Sequence, residues 1–185
     1  MTRLMVAMCL AFCLSGCSST RVKPELSRQE REAWEAFFRN QSAIGSPKEP
    51  IGVVNRVVAI GDKIVPYVED SLGKAYREKA GRGDDDLVIV LARIGTPRAI
   101  QGLVKVLEHN YPGAIGRDRM IAASALVRLG AKHAAPALRE AIADHQRLAR
   151  SGDGQRAAEI GHLRRCLGQL EQGIGKRDTE NFPHD

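Results

Sequence analysis

The stretches VLARIGTPRAIQGLVKVL (residues 90–107) and ALVRLGAKHAAPALREAI (residues 125–142) align without a gap: Leu91 falls on Leu126, Arg93 on Arg128, Gly95 on Gly130 and Leu103 on Leu138. VVAIGDKIVPYVEDSL (residues 57–72) fits the same pattern if it is given one residue fewer after Gly61, so the glycines stand 34 and 35 residues apart. A period of that length is the size of one helical hairpin. Ahead of each glycine the same positions are apolar in all three copies: Val54, Val88 and Ala123, then Val57, Leu91 and Leu126, then Ile60, Ile94 and Leu129. After it a second set recurs: Ile64, Ala99 and Ala134, then Val68, Leu103 and Leu138, then Leu72, Leu107 and Ile142. Steps of three and four residues make a stripe along one side of a helix, so each copy predicts two amphipathic helices.

The punctuation agrees. A glycine between two stripes supplies the positive φ that ends a helix, and Thr96-Pro97 offers an N-cap and a first-turn proline to the next one. Pro66 and Pro136 recur near the start of the second helix, where a missing N–H does no harm. No segment sustains the period-two alternation of a half-buried strand.

At these residues the chain resembles the HEAT repeat of the short bacterial, phycobilisome-lyase-like type. The resemblance covers residues 50–146, with 57–72 the weakest copy, and implies an all-α fold, a short α-solenoid of about three hairpins. It also implies a concave face, lined by the second helices, used for binding proteins. Some relatives of this type act on bilin chromophores, but nothing else in the chain points there. Flanking helices complete the expectation. Ser27 and Glu30 have the spacing of a capping box, followed by Trp34, Phe37 and Phe38 on a first helix over about 28–43 that closes the end of the core. Ala157, Ile160, Leu163, Leu167, Leu170 and Ile174 predict a closing helix.

The N-terminus reads as a leader. Arg3 precedes an apolar run from Leu4 to Leu14, too short for about 30 Å of hydrocarbon, and ends in Leu14-Ser15-Gly16-Cys17, which resembles the lipobox of bacterial lipoproteins. The resemblance implies cleavage before Cys17 and acylation of that cysteine, giving several chains where one holds only marginally. Ser18 implies no retention at the inner membrane, so the expected location is the outer membrane, facing the periplasm. The expected organisation is a signal peptide at 1–16, lipidated cysteine and tether at 17–26, a repeat domain at 27–175 and a disordered tail at 176–185.

Removal of the leader leaves 169 residues, enough for one domain, and a net charge of +5 from 27 basic and 22 acidic residues. That excess suits acidic partners or anionic head groups. It does not suggest nucleic acid, because the full chain has only eight aromatic residues for base stacking. Cys166 is then the single free thiol and excludes an internal disulfide. It falls among Leu163, Leu167 and Leu170, which predicts a buried structural cysteine, although Arg164 and Arg165 favour its thiolate.

No catalytic constellation emerges. The five histidines lack H-x-x-x-H or H-E-x-x-H spacing, and there is no G-x-S-x-G or G-K-[ST] element, so no metal, cofactor or catalytic residue is expected. Asp84, Asp85 and Asp86 precede a helix and read as first-turn acids that complement its dipole. The expected function is a membrane-anchored, non-catalytic scaffold that binds an envelope protein. The alternative is a small-ligand carrier or lyase-like enzyme with a pocket in the concave face. Asp70, Lys105 and Glu140 share one repeat position and alternate in sign, which predicts pairing between repeats. Lys63, Arg98 and His133 share another, in the first turn of each second helix, where a cation opposes the dipole. They are the candidate partner-binding residues, an edge for an acidic segment or head group.

Overall fold

The computed structural model describes residues 23–40, 51–78, 84–108, 116–149 and 155–174. The leader, Cys17 and the tail at 176–185 lie outside the described residues. Among those that are described there are eight α-helices and no strand: α1 (Arg28–Asn40), α2 (Ile51–Val58), α3 (Val65–Glu78), α4 (Asp84–Ile94), α5 (Pro97–Glu108), α6 (Arg117–Arg128), α7 (Ala135–Ala149) and α8 (Gln155–Gln172). The fold class is the expected one, an all-α solenoid.

The repeat alignment dictates the packing. Val57, Leu91 and Leu126 are fully buried, as are Ile64, Ala99 and Ala134, and Val68, Leu103 and Leu138. Each equivalent position therefore contributes one rung of a continuous core. First helices stack on first helices, α2 on α4, α4 on α6 and α6 on α8, while second helices stack α3 on α5 and α5 on α7. Burying a Leu or Val side chain contributes about 1.5–3 kcal/mol, and the repeat places these at every rung, so neighbouring hairpins stabilise each other.

The turns form as their residues require. Gly61, Gly95 and Gly130 have φ of 67°, 63° and 63°. At Gly130 the Ala131 amide donates to the Leu126 carbonyl at 3.0 Å and the Gly130 amide to Val127 at 2.9 Å, the double bond of a Schellman end. Thr96 caps α5 by accepting from the Ala99 amide at 3.3 Å. Pro97 opens that helix, and Pro66 and Pro136 are the second residues of α3 and α7.

At the N-terminal end the capping box is reciprocal: the Ser27 amide donates to Glu30 Oε2 at 2.6 Å and the Glu30 amide to Ser27 Oγ at 3.3 Å. Phe37 is fully buried and stacks on half-buried Trp34 at 5.7 Å, while Phe38 is 39% exposed. The aromatic helix thus closes the core with two of its three rings. The tether expected up to residue 26 is shorter than the composition suggests. Leu26 is buried, Tyr67 Oη donates to the Pro24 carbonyl at 2.9 Å, and Lys23 pairs with Asp70 at 2.9 Å. Residues 23–26 belong to the domain because one apolar side chain and one aromatic hydroxyl give this polar stretch partners on α3.

The closing helix differs in kind from the expectation. α8 packs on α6 as α6 packs on α4, and it ends at Gly173 (φ 72°) with the Ile174 amide donating to Gln169 at 3.0 Å. It is the first helix of a fourth unit, with Gly173 in the place of Gly130. At the positions of the buried Leu91 and Leu126 it carries exposed Gln169, and at those of Ile94 and Leu129 it carries exposed Gln172. A polar outer side is what a terminal repeat needs. The apolar stripe read from the sequence is corrected accordingly: Ala157 is exposed and Ile174 is 58% exposed, whereas Cys166 and Glu159 are buried. The helix is clasped by both α6 and α7, and Ile174 lies beyond its terminating glycine.

Candidate functional site

Two surfaces arise directly from the repeat. The first is the outer side of the second helices. Pro66, Asp70 and Gly73 on α3, Gln101, Lys105 and Glu108 on α5, and Pro136, Glu140 and Ala143 on α7 occupy equivalent positions, and all but half-buried Pro66 and Gly73 are exposed. Because α3, α5 and α7 lie side by side, these stripes run in register as one polar face of mixed charge. Asp70, Lys105 and Glu140 do not pair with one another as expected. Lys105 Nζ reaches Glu69 Oε1 at 2.6 Å, and Asp70 is taken by Lys23 at 2.9 Å. The long lysine side chain bends one position back to the half-buried Glu69 rather than straight across. Lys23 also holds the Asp70 carboxyl below its usual range, chiefly through this hydrogen bond. Arg139 on α7 reaches Glu171 on α8 at 2.6 Å, which ties the last helix to this face.

The second surface is the edge where the glycine turns stack. Thr96 Oγ1 donates to Asp62 Oδ1 of the preceding turn, Gly95 lies against the Leu129 side chain, and Gly173 against that of Lys132. Lys63, Arg98 and His133 share this edge, each at its own turn. Only Arg98 lies in a first α-turn, as the second residue of α5. Lys63 and His133 sit in 3-10 turns, Gly61–Lys63 and Lys132–Ala134, that precede α3 and α7. The dipole argument therefore applies to Arg98 alone. Lys63 is engaged by Glu30 of the capping box, Nζ to Oε2 at 2.6 Å, and that ammonium, followed by the Ser27 amide, holds the Glu30 carboxyl below its usual range. The basic edge is thus reduced to half-buried Arg98 and exposed His133.

Two side-chain clusters went unseen in the sequence. His162 Nε2 lies 2.9 Å from Ser124 Oγ and 3.5 Å from Cys166 Sγ, linking α6 and α8. The spacing of His162 and Cys166, one helical turn, was the available signal. Burial pushes the Cys166 thiol up, against smaller opposite effects of Ser124 and Arg165, which disfavours its thiolate. The cysteine is buried, as expected. The other cluster joins α6, α7 and α8. Asp118, Arg119, Asp144, His145 and Glu159 are all buried, with Arg119 Nη2 3.9 Å from Asp144 Oδ2, Arg147 on Asp144 Oδ1, and His145 Nδ1 3.2 Å from Glu159 Oε2. Polar groups this deep demand partners: Asp144 ties α7 to α6, and Glu159 ties α8 to α7.

The acids read as preceding α4 are its first three residues, and Asp85 pairs with Arg117 at 2.6 Å. Among the described residues no group of three or more His, Cys, Asp or Glu side chains is arranged to hold a metal ion, and no helix is long and apolar enough to cross a membrane. An open recess of about 780 Å³ lies between residues 25–28 and α1, not on the second-helix face. Arg28, Arg31 and Lys63 there are balanced by Glu25, Glu32 and Glu35.

Residues 86–109 and 118–144, the α4–α5 and α6–α7 hairpins, match the family model of the PBS lyase HEAT-like repeat. No curated protein and no solved structure matches the chain. The match falls on the two hairpins whose sequences align without a gap, and the first hairpin, α2–α3, shares their rungs and turn. The chain is an all-α solenoid, and two of its hairpins match HEAT-like repeats.

Proposed function

We propose that this protein is a lipid-anchored, non-catalytic scaffold that binds another protein of the cell envelope through the outer side of its second helices. The observation that carries the reading is the register of three stripes on α3, α5 and α7, exposed at almost every position and mixed in charge. A rigid stack presents such a face without ordering cost at the moment of binding, which favours recognition of an extended partner surface. The residues that remain available on the turn edge, Arg98 and His133, extend it toward an acidic segment. The anchor rests on Leu14-Ser15-Gly16-Cys17 and its likeness to a lipobox, and Ser18 assigns the protein to the outer membrane, facing the periplasm.

The two halves are tested separately. Cys17→Ser should abolish incorporation of labelled fatty acid, and label on the mutant chain would overturn the anchor. Gln101→Arg/Glu140→Arg should reduce capture of the envelope partner at unchanged helicity, and equal capture would overturn the face.

A further inference from the structure

Lys23 marks where the folded domain takes hold of the chain. Its ammonium pairs with Asp70 on α3 and sits 5.0 Å above the Tyr67 ring, and the next residues are fixed by the Tyr67–Pro24 bond and the burial of Leu26. Between Cys17 and Lys23 only residues 18–22 intervene. Whatever their conformation, six Cα-to-Cα steps span at most about 21 Å. The first hairpin carries this attachment, and α8 lies three helix-to-helix steps away along α2, α4 and α6, about 25–30 Å.

We infer that the anchored array stands on its first unit: the end formed by residues 23–26, α1 and α3 faces the phospholipid bilayer, and α8 with its polar outer side faces away from it. This rests on the acylation of Cys17. The short tether, not charge, holds the end down, because three of the cations beside the attachment are paired. Arg28 pairs with Glu32, Lys63 with Glu30 and Lys23 with Asp70. The aromatic side chains there suit the interface, since Trp34 and Tyr67 are half-buried and Phe38 exposes an apolar edge. The consequence is that the second-helix face rises from the membrane with its three stripes at increasing height, that of α3 lowest, so a partner is met sideways and not from above.

The chain's single tryptophan is a built-in probe, because Trp34 lies 6.5 Å from the Tyr67 ring on which Lys23 rests. The acylated protein is placed in phosphatidylcholine vesicles carrying a dansyl head-group acceptor, and energy transfer from Trp34 is compared with transfer in Trp34→Phe/Gln172→Trp, whose donor sits on exposed α8. Trp34 should transfer several-fold more efficiently. Equal transfer from the two donors, in protein shown by mass to be acylated, overturns the orientation and leaves the anchor standing. Absence of acyl mass overturns both. A second variant keeps Trp34 in place: a Gly/Ser insert of about twenty residues after Ser19 adds ~25 Å of r.m.s. reach and should lower its transfer, whereas unchanged transfer would mean that the tether does not set the geometry. Replacing part of the lipid by phosphatidylglycerol should change nothing, and a marked rise in Trp34 transfer would assign the contact to charge instead.

Discussion

Replacing Gly61 and, separately, Gly95 by alanine isolates two costs that the repeat turn imposes. Both glycines have nearly the same backbone, φ 67° and 63°, so both substitutions place a side chain in the left-handed region at about 1–2 kcal/mol. Their surroundings differ. A Cβ on Gly61 meets nothing within 4 Å, whereas on Gly95 it comes 3.0 Å from Leu129 Cδ2 of the next repeat. Leu129 is half-buried against the core, so its methyl must give way by a few tenths of an ångström, and overpacking of this kind adds about 1–3 kcal/mol. For a chain of this length 1 kcal/mol corresponds to about 2–4 °C in Tm. Gly61→Ala should therefore lower the midpoint by a few degrees, and Gly95→Ala by roughly 2–12 °C more. Differential scanning calorimetry of the chain from Ser18 onward reads both. Equal losses would refute the claim that successive turns pack on each other, and no loss in either would refute the positive φ.

Three further outcomes follow from particular contacts. Asp144→Ala removes a buried partner of Arg119 and should cost up to about 3–5 kcal/mol in urea unfolding, with α6 and α7 more open to hydrogen exchange; a loss under about 1 kcal/mol would dismiss the pair as structural cement. Asp70 and Glu30 have folded-state values below their ordinary 3.8 and 4.5, so the stability they contribute is present above those values and is lost as pH falls through the lower folded ones. A thermal midpoint that drops on acidification below about pH 4, less steeply in Lys23→Ala, is the expected record, and an identical slope in that variant would contradict the pairing. The raised Cys166 thiol should resist alkylation in native protein at pH 7.5 and react on unfolding, and fast native labelling would show the site open.

Most of the fold was legible because each rung is stated three times. A substitution such as Ala123 for Val88 is readable only beside its equivalents, and the glycines mark where to align them. What escaped was whatever the repeat does not repeat. Gly173 stands 43 residues after Gly130, so the longer connection hid the fourth unit, and Gln169 in place of Leu126 disguised its register. The docking of residues 23–26 depended on a tyrosine hydroxyl and one leucine, which carry no periodic signal. The pairing of Lys63 with Glu30 joins residues 33 positions apart on different elements, and only the packing of α1 over the first turn brings them together. For the same reason the buried cluster of Asp118, Arg119, Asp144, His145 and Glu159 carried no signal in the sequence. The candidate face on the second helices was legible as a position, but not its electrostatics, because long side chains chose partners one residue away from the alignment.

Photo-crosslinking from defined positions in the living envelope tests the central claim most directly. Benzoylphenylalanine placed at Gln101 and at Glu140, on the outer side of α5 and α7, is compared with the same probe at Asn55 and Ile89, exposed on the first helices α2 and α4. The scaffold reading predicts one discrete protein adduct shared by positions 101 and 140 and absent from 55 and 89. Adducts confined to 55 and 89, or none from 101 and 140 while the probes are incorporated and the chain is folded, would contradict it.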